Sequence, residues 1–152
     1  MNKNNLKICL VSSHGGHLHE LMNATKDLEG NFYWVTYKTK HTSKILQEEK
    51  HYFVIDPHLS KIKFVFNAFQ SLFHLLKERP QVIISTGAGI ALPTLVLGKF
   101  LFNSKVIYIE SVACVNELSK SGAYMYEKAD LFLVQWDNLI KKYPQSKNVD
   151  IL

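Results

Sequence analysis

The chain has 152 residues, of which 47% are hydrophobic and 20% charged, with 18 lysines and arginines against 13 acids for a formal charge of +5. That composition fits one globular domain with a sizeable core and excludes a disordered chain. The charge excess suits anionic lipid, a phosphorylated substrate or nucleic acid, and selects none of them.

Cys9 and Cys114 lack a metal spacing such as C-x-x-C and read as free thiols in a reducing compartment. No uncharged apolar run reaches the roughly 18 residues of a membrane-spanning helix. The nearest, "IALPTLVLG", stops at Lys99. The start "MNKNNLKICLV" moves directly into a strand, which predicts no signal peptide.

In chain order, short apolar runs alternate with helical patterns. "LKICLV" (6–11), "FYWVTY" (32–37), "YFVI" (52–55), "QVIIS" (81–85), "KVIYIE" (105–110) and "DLFLVQ" (130–135) read as strands. Helices are expected over about 17–28, 42–50, 61–79, 90–101 and 117–128, with a short last one near 137–143. Strands that are apolar on both sides belong inside a parallel sheet covered on both faces. The alternation therefore predicts an α/β, Rossmann-like, doubly wound parallel sheet, one domain over residues 1–152.

Ligands of such sheets bind beyond the carboxyl ends of the strands. Three turns are expected there. In "SSHGGHLHE", Gly15 and Gly16 let the backbone turn tightly, and the following helix start directs free N–H groups at the same place, so an anion is the natural occupant. His17 opens that helix, and Glu20, one turn on, can fix its tautomer or bind a hydroxyl itself. In "STGAGIALP", Thr86, Gly87 and Gly89 form a second anion-friendly turn, without the third glycine of a dinucleotide fingerprint. In "YIESVACVNE", Glu110 ends an apolar strand, where a carboxylate can accept from sugar hydroxyls or act as a base. Each feature alone also reads as plain structure: a glycine turn with solvated histidines, tight strand-to-helix packing, a helix cap.

"KIKFVFNAFQSLFHLLKER" (61–79) carries too much apolar surface for one buried side. Ile62, Val65, Phe66, Phe69, Leu72, Phe73 and Leu76 form the stripe expected to cover the sheet. Phe64, Ala68 and Leu75 fall outside it and widen the arc to roughly 200°. With Lys61, Lys63, His74, Lys77 and Arg79 beside it, the surplus predicts an interfacial membrane contact through Phe64, Ala68, Leu75, Lys61 and Lys63. Packing between helices, or a protein subunit, would also cover it.

The motifs "SSHGGHLHEL", "PQVIISTGAGIALP", "VIYIES" and "EKADLFLVQW", in this order, resemble a family. They are similar to the PssD/CpsF-type subunits of polysaccharide glycosyltransferases. They are also similar to the membrane-recruiting subunit of the bipartite transferase that adds the second N-acetylglucosamine to dolichol diphosphate, and more distantly to the N-terminal half of the murein transferase. The resemblance implies the acceptor-side half of a GT-B glycosyltransferase split between two chains, transferring with inversion. Its implied partners are a donor-binding subunit like the C-terminal half, a polyprenyl-diphosphate-linked sugar acceptor and the cytoplasmic membrane surface, where the chain would sit peripherally on the plasma membrane. Nucleic acid is not among them.

By the same resemblance, Gly15, Gly16 and His17 line the acceptor end of the cleft, with His17 assisting deprotonation of the acceptor hydroxyl and Glu20 or Glu110 as rival bases. No cofactor or metal is implied. A non-catalytic enhancer or anchor of the partner is the alternative. Two departures stand out. The murein enzymes have a longer glycine-rich turn where His14 stands, and a His-Glu-Gln-Asn strand end where this chain has Ile109, Glu110, Ser111 and Val112.

Overall fold

The computed structural model describes residues 6–151. Seven strands form one parallel sheet in the order β3-β2-β1-β4-β5-β6-β7. They are β1 (Lys7–Val11), β2 (Asn31–Thr36), β3 (His51–Phe53), β4 (Val82–Ser85), β5 (Lys105–Ile109), β6 (Leu131–Val134) and β7 (Lys147–Asn148). Helices α1 (Gly16–Thr25), α2 (Lys40–Ile45), α3 (Lys61–Glu78), α4 (Leu92–Phe102), α5 (Lys120–Met125) and α6 (Asp137–Lys142) connect them in turn. The expected doubly wound sheet is present, and β7 is the one strand among the described residues that the pattern did not announce.

Alternate residues of each strand feed two cores. Ile8, Leu10, Trp34, Ile84 and Ile109 pack with Leu18 and Leu21 of α1. Cys9, Tyr33, Ile83, Val106, Tyr108 and Phe132 pack with Leu75 of α3, Leu95 of α4, Met125 of α5 and Leu139 of α6. Successive strands run outward from β1 to β3, and the chain then returns to pair β4 against β1. The strand order therefore reverses between β1 and β4, and in doubly wound sheets ligands bind at such a reversal, beyond the carboxyl ends of the strands.

Helix α3 sits the other way round from its expected orientation. Asn67, Ser71, His74, Leu75 and Glu78 are its buried residues. Ile62, Val65, Phe66, Phe69, Phe73 and Leu76 are exposed, and at about 100° per residue they span an outward arc of roughly 100°. The reason is the polar ladder beneath. Asn67 Nδ2 donates to the carbonyls of Ile55 (2.8 Å) and Ile90 (3.2 Å). Ser71 Oγ bonds Asn67 Oδ1 (3.0 Å) and Thr94 Oγ1 (2.9 Å). The His74 ring reaches Thr94 and Tyr33, each at 3.3 Å. Glu78 accepts from Lys7 (2.7 Å), Lys50 (2.9 Å) and the Tyr52 hydroxyl. Those partners exist only under the helix, and leaving such groups buried without partners is costly, so the polar side turns inward.

The expected membrane-contact set is corrected accordingly. Leu75 is 0% exposed and belongs to the core, and His74 is equally buried rather than flanking an outer face. Phe64 is 41% exposed, as expected, and with the half-buried Ala68 also lines a cavity beside α4. Lys61 and Lys63 are exposed as expected. The surplus apolar surface is real and sits on the stripe that was expected to face the sheet. Phe100 and Leu101 of α4 are exposed as well. Among the described residues, no helix is long and apolar enough to cross a membrane.

Candidate functional site

The first and second glycine turns leave neighbouring strands, β1 and β4, and meet at the point where the strand order reverses. Gly15 has φ +70° and Gly87 φ +95°. Both angles lie in the region that glycine adopts without a Cβ penalty, which is why the two turns need it there. Gly15, Gly16 and Gly89 face open space, whereas Gly87 is buried against the Tyr108 hydroxyl, so its expected place in the acceptor site is corrected: its positive φ serves the turn alone.

Two hydrogen bonds clasp the turns together. His17 Nδ1 lies 2.8 Å from the Thr86 carbonyl, and Thr86 Oγ1 donates to the His17 carbonyl at 2.6 Å. A carbonyl oxygen only accepts, so Nδ1 carries a proton, and in the neutral ring Nε2 keeps a free lone pair. Thr86 itself is buried, and the His17 side chain is 32% exposed.

Glu20 does not hold that tautomer, contrary to one of its two expected roles. Its Oε2 is 4.0 Å from His17 Nδ1, beyond hydrogen-bond reach. Oε1 accepts from Ser111 Oγ (3.1 Å) and from the Val112 N–H (3.2 Å), which ties α1 to the loop after β5. Oε2 is buried with no hydrogen-bond partner.

Glu110 is 1% exposed, and its carboxylate is fully engaged. Oε1 accepts from the Ser111 N–H (3.0 Å), and Oε2 from the Ser119 N–H (3.0 Å) and Ser119 Oγ (3.1 Å). Ser119 in turn caps α5 through Gly122 N–H. The structure gives Glu110 the work of pinning the loop and the α5 start, so its expected role as a rival base is corrected. A buried carboxylate with three donors has no free face for a substrate.

The sequence reading missed Thr86 as the residue that orients His17, and Ser111 as the anchor of Glu20. The first is a main-chain contact and leaves no side-chain signal. It also missed the Tyr37 hydroxyl, which hydrogen-bonds the His14 ring at the rim of the first turn. Cys114, near this loop, has its thiol pushed up to about 11 by burial and by the nearby Glu110. Cys9 is pushed up to about 12, chiefly by burial. Neither is a thiolate nucleophile at neutral pH. Among the described residues, no group of three or more His, Cys, Asp or Glu is arranged to hold a metal ion.

Residues 54–152, which include Thr86 and the loop after β5 while the His17 turn precedes them, match the family described as "Oligosaccharide biosynthesis protein Alg14 like". The chain belongs to the Alg14-like family. A relative named UDP-N-acetylglucosamine transferase subunit ALG14, from Debaryomyces hansenii, is 30% identical over 180 residues, covering 97% of this chain and 76% of the relative. The subunit of the same name from Candida albicans is 40% identical over 93 residues, 58% of this chain and 42% of the relative. The chain thus spans under half the length of some curated relatives.

Among solved structures, MurG of Acinetobacter baumannii superposes with a TM-score of 0.72 at 15% identity, over 88% of this chain and 42% of that one. A UDP-N-acetylglucosamine 2-epimerase from Rickettsia bellii gives 0.70 at 8% identity, over 95% and 44%. Both show a shared fold, over less than half of each of those chains. The PssD/CpsF-type label and a capsular setting rest on sequence resemblance alone.

Proposed function

We propose that this Alg14-like chain is the acceptor-binding, membrane-recruiting subunit of a two-chain glycosyltransferase. The partner binds a nucleotide sugar, and the sugar passes to a lipid-diphosphate-linked saccharide at the cytoplasmic face of the plasma membrane, in capsular or extracellular polysaccharide synthesis. The observation that carries the reading is the clasp between His17 and Thr86 where the strand order reverses between β1 and β4. It presents an imidazole nitrogen, Nε2, with its lone pair free. The names of the relatives support a transferase subunit, and the outward apolar stripe of α3 supports a lipid surface.

The chemistry follows from the tautomer. The acceptor hydroxyl approaches His17 Nε2 and attacks the anomeric carbon of the donor sugar from the side opposite the leaving group, with inversion. As the new C–O bond forms, the hydroxyl proton moves to Nε2 and the bond to the nucleotide diphosphate breaks, its electron pair leaving with the diphosphate. The imidazolium that results stands 4.0 Å from the unpartnered Glu20 Oε2. That carboxylate stabilises it through space, while Thr86 keeps the ring from turning. Gly15, Gly16 and Gly89 leave room for the acceptor's diphosphate to approach main-chain N–H groups near the starts of α1 and α4.

The test is reconstitution with the donor-binding subunit. His17→Ala should lower turnover roughly 10²–10⁴-fold, the range for loss of a general base, while sedimentation with vesicles is unchanged. Full turnover by that variant would leave this chain a non-catalytic anchor or enhancer of its partner.

A further inference from the structure

Two apolar cavities lie end to end beside the site. One, of about 590 Å³, is lined by Leu59, Phe64, Val65 and Leu92, with Asp56 and Lys61 beside them, and by Gly89 of the second turn. The other, of about 330 Å³, continues between α3 and α4 past Ala68, Val96, Leu97 and Tyr124. Phe64 and Leu92 line both, so together they form a trough running from the glycine turn along the groove between the helices. Each cavity is within the roughly 300–1,000 Å³ of pockets that enclose small ligands.

From these contacts we infer that the trough holds the first isoprene units of the acceptor's lipid chain, an inference that rests on the acceptor reading above. Three observations choose that occupant. Gly89 of the second turn lines the trough, so a chain lying in it reaches the place where the glycine turns would hold a head group. Lys61 lines the same cavity, where its ammonium can pair with a diphosphate; the Asp56 carboxylate, also in the lining, is partly occupied by the His58 N–H. Val65 belongs both to the trough wall and to the exposed ridge of α3, so the trough opens on the side the ridge presents to lipid. A chain leaving the bilayer enters it without crossing water.

The rim is shaped for this. His58 and Leu59 both have positive φ, +35° and +62°, and Leu59 is 96% exposed. A bulky residue in the left-handed region costs energy that neighbouring structure must supply. Here Asp56 Oδ1 accepts from the His58 N–H (3.2 Å) and Pro57 O from the Ser60 N–H (2.8 Å), which hold the turn in place. The turn keeps an apolar side chain at the trough mouth, where a prenyl chain would cover it.

The experiment measures binding of farnesyl diphosphate and of inorganic diphosphate to the full chain by calorimetry, below the micelle concentration. Wild type should bind farnesyl diphosphate at least tenfold more tightly. Ala68→Trp, which fills the inner cavity, and Leu92→Ser, which removes shared apolar wall without adding bulk, should each lose most of that gain. Inorganic diphosphate binding and vesicle sedimentation should change less than twofold.

Equal affinity for the two probes in wild type, or a gain that survives both variants, overturns the inference and leaves the trough to the partner protein. A gain matched by dodecyl diphosphate assigns it to ordinary alkyl chains and overturns the isoprenoid occupant. No sugar transfer enters these measurements. A failure of the His17 mechanism therefore leaves the trough result standing, and the reverse holds too.

Discussion

Replacing Phe66 and Phe69 by glutamate tests the orientation of α3. The two rings are 59% and 66% exposed. An aromatic side chain buries roughly 150–250 Å² when fully covered, so the pair offers about 250 Å² to a membrane. At about 25 cal/mol per Å², full insertion would stabilise binding by ~6 kcal/mol. A helix lying in the interface sinks only its outer side, so about half of that, ~3 kcal/mol, is the working figure. By the usual conversion this is roughly 100-fold in the partition constant, before any repulsion of glutamate by anionic lipid. Both positions face solvent, so thermal unfolding should move by no more than about 0.5 kcal/mol. The assay is co-sedimentation of the full chain with anionic vesicles over a range of lipid concentration. Partitioning within twofold of wild type, with the fold intact, would refute the assignment of this ridge to lipid.

The ladder under α3 predicts acid sensitivity in two windows. Burial pushes His74 down to about 4, against an opposing pull from Glu78. It is neutral when folded and gains a proton on unfolding near ~6.5, so its contribution is complete above that pH and is lost as the pH falls to about 4. Burial alone would raise Glu78, but hydrogen bonds from Lys7, Tyr52 and Lys50 outweigh it and hold the carboxyl at about 2. Its contribution is complete above roughly 4.3 and falls away toward pH 2. Urea midpoints measured from pH 7 to 3 should fall through both windows, and His74→Gln should flatten the upper one alone. Gly122→Ala tests the clamp at Glu110. A methyl group there overlaps the Glu110 carboxylate and crowds Ser119 Oγ at 3.0 Å, so it should cost about 1–3 kcal/mol as an overpacked site, and an unchanged melting temperature would remove the clamp.

The parallel sheet was legible because its strands are apolar on both sides and alternate with helices. The two glycine turns were legible for a physical reason: the backbone at Gly15 and Gly87 takes positive φ, and strand-turn-helix order brings both turns to one edge. The direction α3 faces was not legible. Periodicity reports that an apolar stripe exists and says nothing of what lies on the other side. Asn67, Ser71, His74 and Glu78 recur at spacings of four, three and four, which marks a second, polar stripe. Its meaning depends on the carbonyls of Ile55 and Ile90 and on Thr94, which only the fold brings near. Glu110 shows the same gap, since a strand-ending carboxylate looks alike whether it is free or held by three donors. Strand β7 escaped because it has two residues, both exposed.

A helix fastened from below by hydrogen bonds leaves the isolated chain with an outer surface that water tolerates poorly. Solubility and the proposed attachment to lipid therefore pull against each other at Phe66, Phe69 and Phe73. On that proposal, the changes that would make this chain easiest to purify in quantity are the ones that would cut it adrift from the bilayer.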